Sequence, residues 1–319
     1  VASIKCIKPG LLTTIQDKGR QAYQSMGISA SGAMDKFAMR VGNILVGNPE
    51  YTPVIESAMV GPVIEMKFEG CVSITGANFS PKLNGDPIEM WKAIHVTPGD
   101  VLSFGRHIAG CLTYIAISGG LKIPTILGSC STFIRGGYGG ISGRALKAGD
   151  EIHVREPRIS YKKLVRKKLV QRYILDYREN ATVRFIWGPQ DDRFTEESKE
   201  VFIHSSYKVS TQSDRMGYRM QGPQLKHVDS PDILSDYICP GAIQVPGEGQ
   251  PIILMADCQM TGGYTKIGVV INVDFPLAAQ CKPGDKIHFE PISVAEAQDL
   301  MKQRERFFYF LNKQNEALI

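Results

Sequence analysis

One local pattern constrains this chain more than any other. A small residue or proline, then Gly-Asp, then an alternation of apolar and polar residues occurs three times. The copies read Thr97-Pro98-Gly99-Asp100-Val101-Leu102-Ser103-Phe104, Lys147-Ala148-Gly149-Asp150-Glu151-Ile152-His153-Val154 and Lys282-Pro283-Gly284-Asp285-Lys286-Ile287-His288-Phe289. The glycine supplies a positive φ for a tight turn. The alternation behind it is that of a strand with one buried face. The last two copies fall near the ends of residues 1–155 and 181–292, which points to two similar β domains in tandem. Such turns also recur in unrelated β-rich proteins, so the repeat taken alone leaves that alternative open.

The rest of the pattern agrees. Val72–Thr75, Leu112–Ser118, Val183–Trp187 and Ile252–Met255 are short runs rich in branched or aromatic residues. Helix-length patterns are few. Residues 34–46 carry an apolar stripe through Met34, Phe37, Val41 and Leu45, with Gly47 as a stop. Thr195 is placed to cap a short helix through Phe202. Ser293-Val294-Ala295-Glu296 reads as a capping box that opens a helix towards Asn315. Its apolar positions, Phe307 and Phe308 among them, suit packing on a domain or on a partner. So few helices between strands favour two closed or nearly closed barrels over a doubly wound sheet. We therefore expect a mainly β fold with an N-terminal barrel over 1–155, a basic linker over 156–180, and a C-terminal barrel over 181–319 that includes the C-terminal helix.

Charge and cysteine usage narrow the function. Residues 155–180 hold nine Lys or Arg against three Asp or Glu, a local +6, so the rest of the chain carries −1. A near-neutral body with one basic segment argues against nucleic acid, and the segment reads as a solvated connector. No apolar run reaches the ~18 residues of a membrane helix. The first residues show no basic segment followed by an apolar core, so no signal peptide and no membrane are expected. The seven cysteines are scattered, and none forms Cys-x-x-Cys. They read as buried small hydrophobes in a cytoplasmic protein, without a zinc site or any other metal.

Familiar catalytic signatures are missing: there is no P-loop, Gly-x-Ser-x-Gly elbow or His-Glu-x-x-His. Gly136–Arg144 is glycine-dense and suited to an anion, but lacks the strand-turn-helix setting of a dinucleotide fingerprint. Glu65-Met66-Lys67-Phe68 lacks the flanks of a biotinylated lysine. The polar residues that do cluster lie on glycine-marked turns between Ser213 and Tyr264. They are Asp214, Arg215 and Arg219, then Gln244, then Gln259, Thr261, Gly262, Gly263 and Tyr264. Polar groups on turns between rigid strands are how many small-molecule sites are built. The same spacing is equally that of ordinary hairpin turns.

Motifs separate the two readings. Pro9–Arg20 followed by Ser31-Gly32-Ala33-Met34-Asp35 resembles the opening of the family that contains KipA, the C subunit of 5-oxoprolinase and allophanate hydrolase subunit 2, together with part of the carboxyltransferase region of urea carboxylase. Leu45-Val46-Gly47-Asn48, Gly76-Ala77-Asn78, Leu83-Asn84-Gly85, Ile117-Ser118-Gly119-Gly120 and Leu127-Gly128-Ser129 are similar too, as are Ser213–Arg219, Gly241–Pro246 and Thr261–Tyr264. The sequence departs from the pattern at Ala30 and Gly247, where proline is common, at Cys130, where arginine is usual, and at Met260, where threonine is usual.

The resemblance implies cyclophilin-like β-barrel domains and a protein that acts on an amide-bearing small molecule as part of a heteromeric complex. It implies ATP-dependent opening of 5-oxoproline to L-glutamate, shared with a KipI-like B subunit and with an A subunit. Carboxyl transfer to urea or a related amide from biotin on a separate carrier is the alternative. A third reading is a regulatory protein that binds a KipI-like kinase inhibitor. The side chains suit an amide substrate. Asp214, Arg215, Gln244 and Gln259 are candidate catalytic residues. Gln16, Asp17, Asn78, Arg219, Thr261, Gly262, Gly263 and Tyr264 are candidate substrate contacts, through amide pairing, carboxylate capture and backbone donors. Asp17 is equally placed to pair with Arg20 across a turn, and Asp35 to stabilise the start of its helix.

Overall fold

The computed structural model describes residues 1–318, which are mainly β with few helices. Each of the three Gly-Asp turns forms, and all three form alike. The aspartate Oδ2 accepts from the backbone N–H three residues back: Thr97 at 2.7 Å, Lys147 at 2.7 Å and Lys282 at 3.0 Å. Gly99, Gly149 and Gly284 hold φ of 95°, 90° and 100°, a conformation that a Cβ would strain. Each turn also docks on a neighbouring strand by the same pair of backbone bonds. Met66, Cys6 and Val209 donate to the aspartate carbonyl, and their own carbonyls accept from the glycine N–H. One short motif thus fixes both the turn and the register of the strand it starts.

The chain gathers into two compact units, residues 1–20, 31–176 and from Phe307 onward in the first, and residues 21–30 and 177–306 in the second. In the first unit a six-stranded sheet runs in the order Glu151–His153, Ser3–Lys8, Val63–Lys67, Val101–Phe104, Pro81–Leu83, Asp86–Pro87. A five-stranded sheet runs Leu12–Gln16, Val54–Ala58, Ala109–Ile117, Gly70–Asn78, Ile94–Val96. Ile4, Ile15, Ile64, Met66, Ile74 and Ile115 are among the buried core that the alternating strands supply. In the second unit seven strands close a barrel: Asn180–Trp187, Lys266–Val270, Ala242–Gln244, Ile252–Leu254, Gly217–Gln221, Ser206–Val209 and Lys286–Pro291. Barrel closure therefore belongs to the second unit, and the first is built from two sheets.

The helices follow their caps. Asp35 accepts from the Ala38 N–H at 2.8 Å and opens the helix Lys36–Leu45. Thr195 accepts from Ser198 N–H and opens Glu196–His204. At Ser293 the capping box is reciprocal: its N–H donates to the Glu296 carboxylate at 2.8 Å, and its hydroxyl accepts from the Glu296 N–H at 3.2 Å. That helix, Val294–Glu316, runs 23 residues.

Three segments differ from the simple tandem division, the first being residues 21–30, which belong to the second unit. The basic stretch is pinned to the first unit up to Asp176, while most of its charges stay in solvent. Ile159, Leu164 and Leu169 are buried, and Lys167 O and Leu169 N bond the backbone of Ala93 and Trp91 at 2.9 and 2.8 Å. The charges disguised this, because a few apolar residues at wide intervals are enough to pin a segment. The last turns of the C-terminal helix belong to the first unit, where Phe307 stacks on Phe37 at 5.9 Å and Arg40 lies 3.5 Å above Phe308. Burying one such ring is worth roughly 1.5–3 kcal/mol.

All seven cysteines are free thiols, six of them buried and Cys239 half-buried. Among the described residues no acidic, His or Cys group is arranged to hold a metal, and no helix is long and apolar enough to cross a membrane. Among the described residues, one buried side-chain polar atom of the barrel lacks a partner. The Tyr207 hydroxyl makes no hydrogen bond, while its ring packs 5.8 Å from Phe202 and 6.0 Å from Phe289. Removing an unpaired hydroxyl removes its desolvation cost. Tyr207→Phe is therefore expected to hold or raise stability by about 0.5–1 kcal/mol, seen as a melting temperature that does not fall. A clear fall would mean that the hydroxyl has a partner.

Candidate active site

Within the second unit, the strands Ala242–Gln244 and Lys266–Val270 pair with Gln244 opposite Lys266, after a register shift between Ile243 and Gln244. Residues opposite one another across an antiparallel pair share a face. Arg219 and Gln244 also stand opposite Ile252, so all four lie on one face of the barrel wall. Tyr218, Ile243 and Ile253 occupy the other face and are buried. Arg219 is exposed, as expected of an outward residue, yet Gln244 and Lys266 are buried.

What covers them is a separate two-stranded ribbon, Asp232–Tyr237 paired with Thr261–Tyr264. The ribbon carries Asp236, whose Oδ2 lies 2.7 Å from Lys266 Nζ; the lysine side chain is 5% exposed and the aspartate 51%. The Lys266 ammonium holds the Asp236 carboxyl below the usual carboxylate range, helped by the Tyr237 N–H and by Gln190. Gln190 also accepts from the Lys266 N–H at 3.2 Å, so one side chain ties both partners. On the other side, Gly262 lies so close that a Cβ there would meet Gln244 Nε2 at 2.8 Å and Ile238 at 2.4 Å. Only glycine lets the ribbon backbone rest on the glutamine amide.

The Gln244 carboxamide is nearly unspent. Its one hydrogen bond among those described is a long donation to Tyr264 O at 3.5 Å. A buried ammonium anchored by a carboxylate, beside a carboxamide with free capacity, can hold a carbonyl-nitrogen compound and balance negative charge on its oxygen. The neighbouring thiols are held in their protonated form. Burial pushes the Cys258 thiol up to about 12, and raises that of Cys239 as well.

Of the residues singled out in the sequence, Gln244, Thr261, Gly262, Gly263 and Tyr264 come together here. Arg219 shares the outward face of that wall. Asp214 is exposed and accepts from the Met216 and Gly217 N–H groups, forming its own turn. The Arg215 guanidinium is held in a two-pronged pair with Asp257, at 2.9 and 3.0 Å. Gln259 is exposed at the edge of the ribbon. Gln16, Asp17 and Asn78 belong to the first unit. Gln16 donates to Thr14 and Thr132 O, and Asn78 accepts from the Ser80 N–H. Asp17 accepts from Gly19, Ser129, Cys130 and Ser131. Cys130 and Met260, the two departures within motifs, are both buried in apolar clusters. Lys266, Asp236 and Gln190 were not among the sequence candidates. The available signal was a lysine opening an otherwise apolar strand, Lys266-Ile267-Gly268-Val269-Val270.

Comparison with known proteins bears on this site. Residues 26–291 match the model of the carboxyltransferase domain, subdomain A and B. The C subunit of the Escherichia coli 5-oxoprolinase is 35% identical over 305 residues, 96% of each chain. That of Haemophilus influenzae is 37% identical over 292 residues, 92% of each. The urea amidolyase of Saccharomyces cerevisiae is 35% identical, across 95% of this chain and 17% of that one. Among solved structures, the K. lactis urea amidolyase superposes with a TM-score of 0.88 at 30% identity, covering 97% of this chain and 20% of that one. TTHA0988 superposes with 0.81 at 29% identity, covering 91% and 55%.

Proposed function

The chain belongs to the carboxyltransferase domain, subdomain A and B, family, and from that premise we propose that it is the C subunit of an ATP-dependent 5-oxoprolinase that opens 5-oxoproline to L-glutamate. The observation that carries this reading is likeness over nearly the whole of both chains to the C subunits of two 5-oxoprolinases. The urea amidolyases match with only a fraction of their length. The partners in this reading are a KipI-like B subunit and an A subunit, and ATP is used by the assembly.

The chemistry fits the site. Opening the lactam adds water at the ring carbonyl carbon, breaks the C–N bond and delivers a proton to the leaving nitrogen. Negative charge collects on the carbonyl oxygen on the way. Lys266, held in place by Asp236 and Gln190, is positioned to balance that charge. Gln244 offers a donor and an acceptor to the lactam N–H and C=O. Thr261–Tyr264 form the adjoining wall, with Gln259 at its edge; Asp214, Arg215 and Arg219 border the same barrel. Gln16, Asp17 and Asn78 act in the fold of the first unit.

The test is glutamate release from 5-oxoproline by the chain combined with the A and B subunits. Release is expected to require ATP and all three proteins. Gln244→Leu is expected to cut it about 100-fold, because a site built around an amide loses its match. Full activity without this chain would end the reading. The carboxyltransferase alternative is favoured by the close superposition on urea amidolyase. Dependence on bicarbonate and a biotinylated carrier would select it.

A further inference from the structure

The end of the C-terminal helix buries one side against the first unit and leaves large aromatics on the other. Phe308 is buried, whereas Tyr309 and Phe310 are 57% and 65% exposed. Phe307 bridges the two environments, 5.9 Å from Phe37 inside and 5.1 Å from the exposed Tyr173 outside. Phe310 lies one helical turn beyond Phe307, on the same side of the helix. Val170 adds a further exposed apolar side chain beside Tyr173. These rings stand on a firm base, because Phe37 also touches Trp91 and Phe308.

The segment that carries Tyr173 is basic. Lys162, Arg166, Lys168 and Arg172 are exposed on the pinned segment that carries the local +6. Arg172 lies 4.8 Å over Tyr173, and Lys313, ion-paired with Glu316, lies 5.5 Å over Tyr309. Rigid aromatics with adjacent arginines, ringed by charge, are the composition of protein–protein hot spots. The segment is held by backbone bonds and buried residues, so its charges are displayed at fixed positions.

We propose that this face of the first unit, centred on Phe310 and Tyr173 and rimmed by the 158–172 cations, docks a partner protein whose contact surface is acidic. The charge selects the partner's chemistry, since a +6 segment on a chain otherwise at −1 gains most from an acidic surface. The solved relatives point to a protein partner, because this fold makes up 55% of TTHA0988 and 20% of the K. lactis urea amidolyase and is joined there to further polypeptide. The inference rests on the 5-oxoprolinase reading for the existence of a partner, and is independent of the reaction assigned to the site.

Sedimentation of the full chain with the A and B subunits tests it. Phe310→Asp is expected to weaken assembly about 30-fold or more, without lowering the melting temperature. Arg166→Glu with Lys168→Glu is expected to weaken it about 10-fold at 50 mM salt and little at 0.5 M, the mark of a charged rim. Lys266→Met should assemble as the unaltered chain does. Undiminished assembly by both surface variants overturns the docking face and leaves the 5-oxoprolinase reading intact. Failure of the unaltered chain to assemble with either partner removes both. A dimer of the chain alone that Phe310→Asp dissolves would show a second copy as the occupant and also overturn the proposal, as would tighter binding of a 20-base-pair DNA duplex.

Discussion

Lys266→Met is expected to reduce glutamate release by the assembled enzyme about 100- to 1,000-fold while leaving the fold intact. Methionine keeps most of the length and the apolar stem of lysine and removes the ammonium, with its charge and its donors. Loss of one preorganised charge-stabilising group typically costs that much in turnover. The fold should survive because, among the described residues, the ammonium has one close partner, Asp236, which is half-exposed and can turn to water. Lys266→Arg is the informative companion. It keeps the charge but exchanges a compact ammonium for a wide planar group in a site closed by Gln244 and Gly262. It should recover little activity if position matters, and much if charge alone suffices. Turnover by Lys266→Met within a few-fold of normal would dismiss the lysine from the chemistry.

The second large effect concerns stability. Asp17→Asn is expected to destabilise the first unit by about 2–4 kcal/mol. The Asp17 Oδ1 accepts from the Gly19 N–H at 2.8 Å and from the Ser129 and Ser131 hydroxyls at 2.6 Å each. Its Oδ2 accepts from the Cys130 N–H at 2.6 Å. All four neighbours donate, and only a carboxylate can accept on both oxygens. Asparagine is the same size, yet it must turn an NH2 towards one donor set or the other. For a unit of this size the melting temperature should fall by about 4–16 °C. A fall under 2 °C would mean that the carboxylate is not needed to hold the 129–131 loop to the strand end, and would make Asp17 a candidate substrate contact again.

These two residues show what could be read in advance. Asp17 stood out in the sequence because it lies in a family motif, but its role came from residues more than a hundred positions away. The three Gly-Asp turns and the caps at Asp35, Thr195 and Ser293 were legible because their partners lie within three residues. Lys266 was not legible as a site residue. Its burial depends on a register shift beside Gln244 and on a ribbon formed by segments some 30 residues apart. The strand pattern alone gives it the outward face, where a lysine is ordinary. Arg215, a candidate catalytic residue in the sequence, is paired in the fold with Asp257, 42 residues further on.

The amino-acid order by itself determined the β class, the turns that begin the strands, the ends of the helices and, through its motifs, the family. Those features are set by backbone dihedrals and by hydrogen bonds between near neighbours, whose strength does not wait on the rest of the chain. Only the tertiary structure decided which polar groups face one another. It placed Gln244 beside Lys266, closed both beneath Gly262 and Asp236, and left Tyr309 and Phe310 uncovered. Burial and pairing between distant segments depend on which surfaces exclude water together, and that is a property of the packed molecule rather than of any stretch within it.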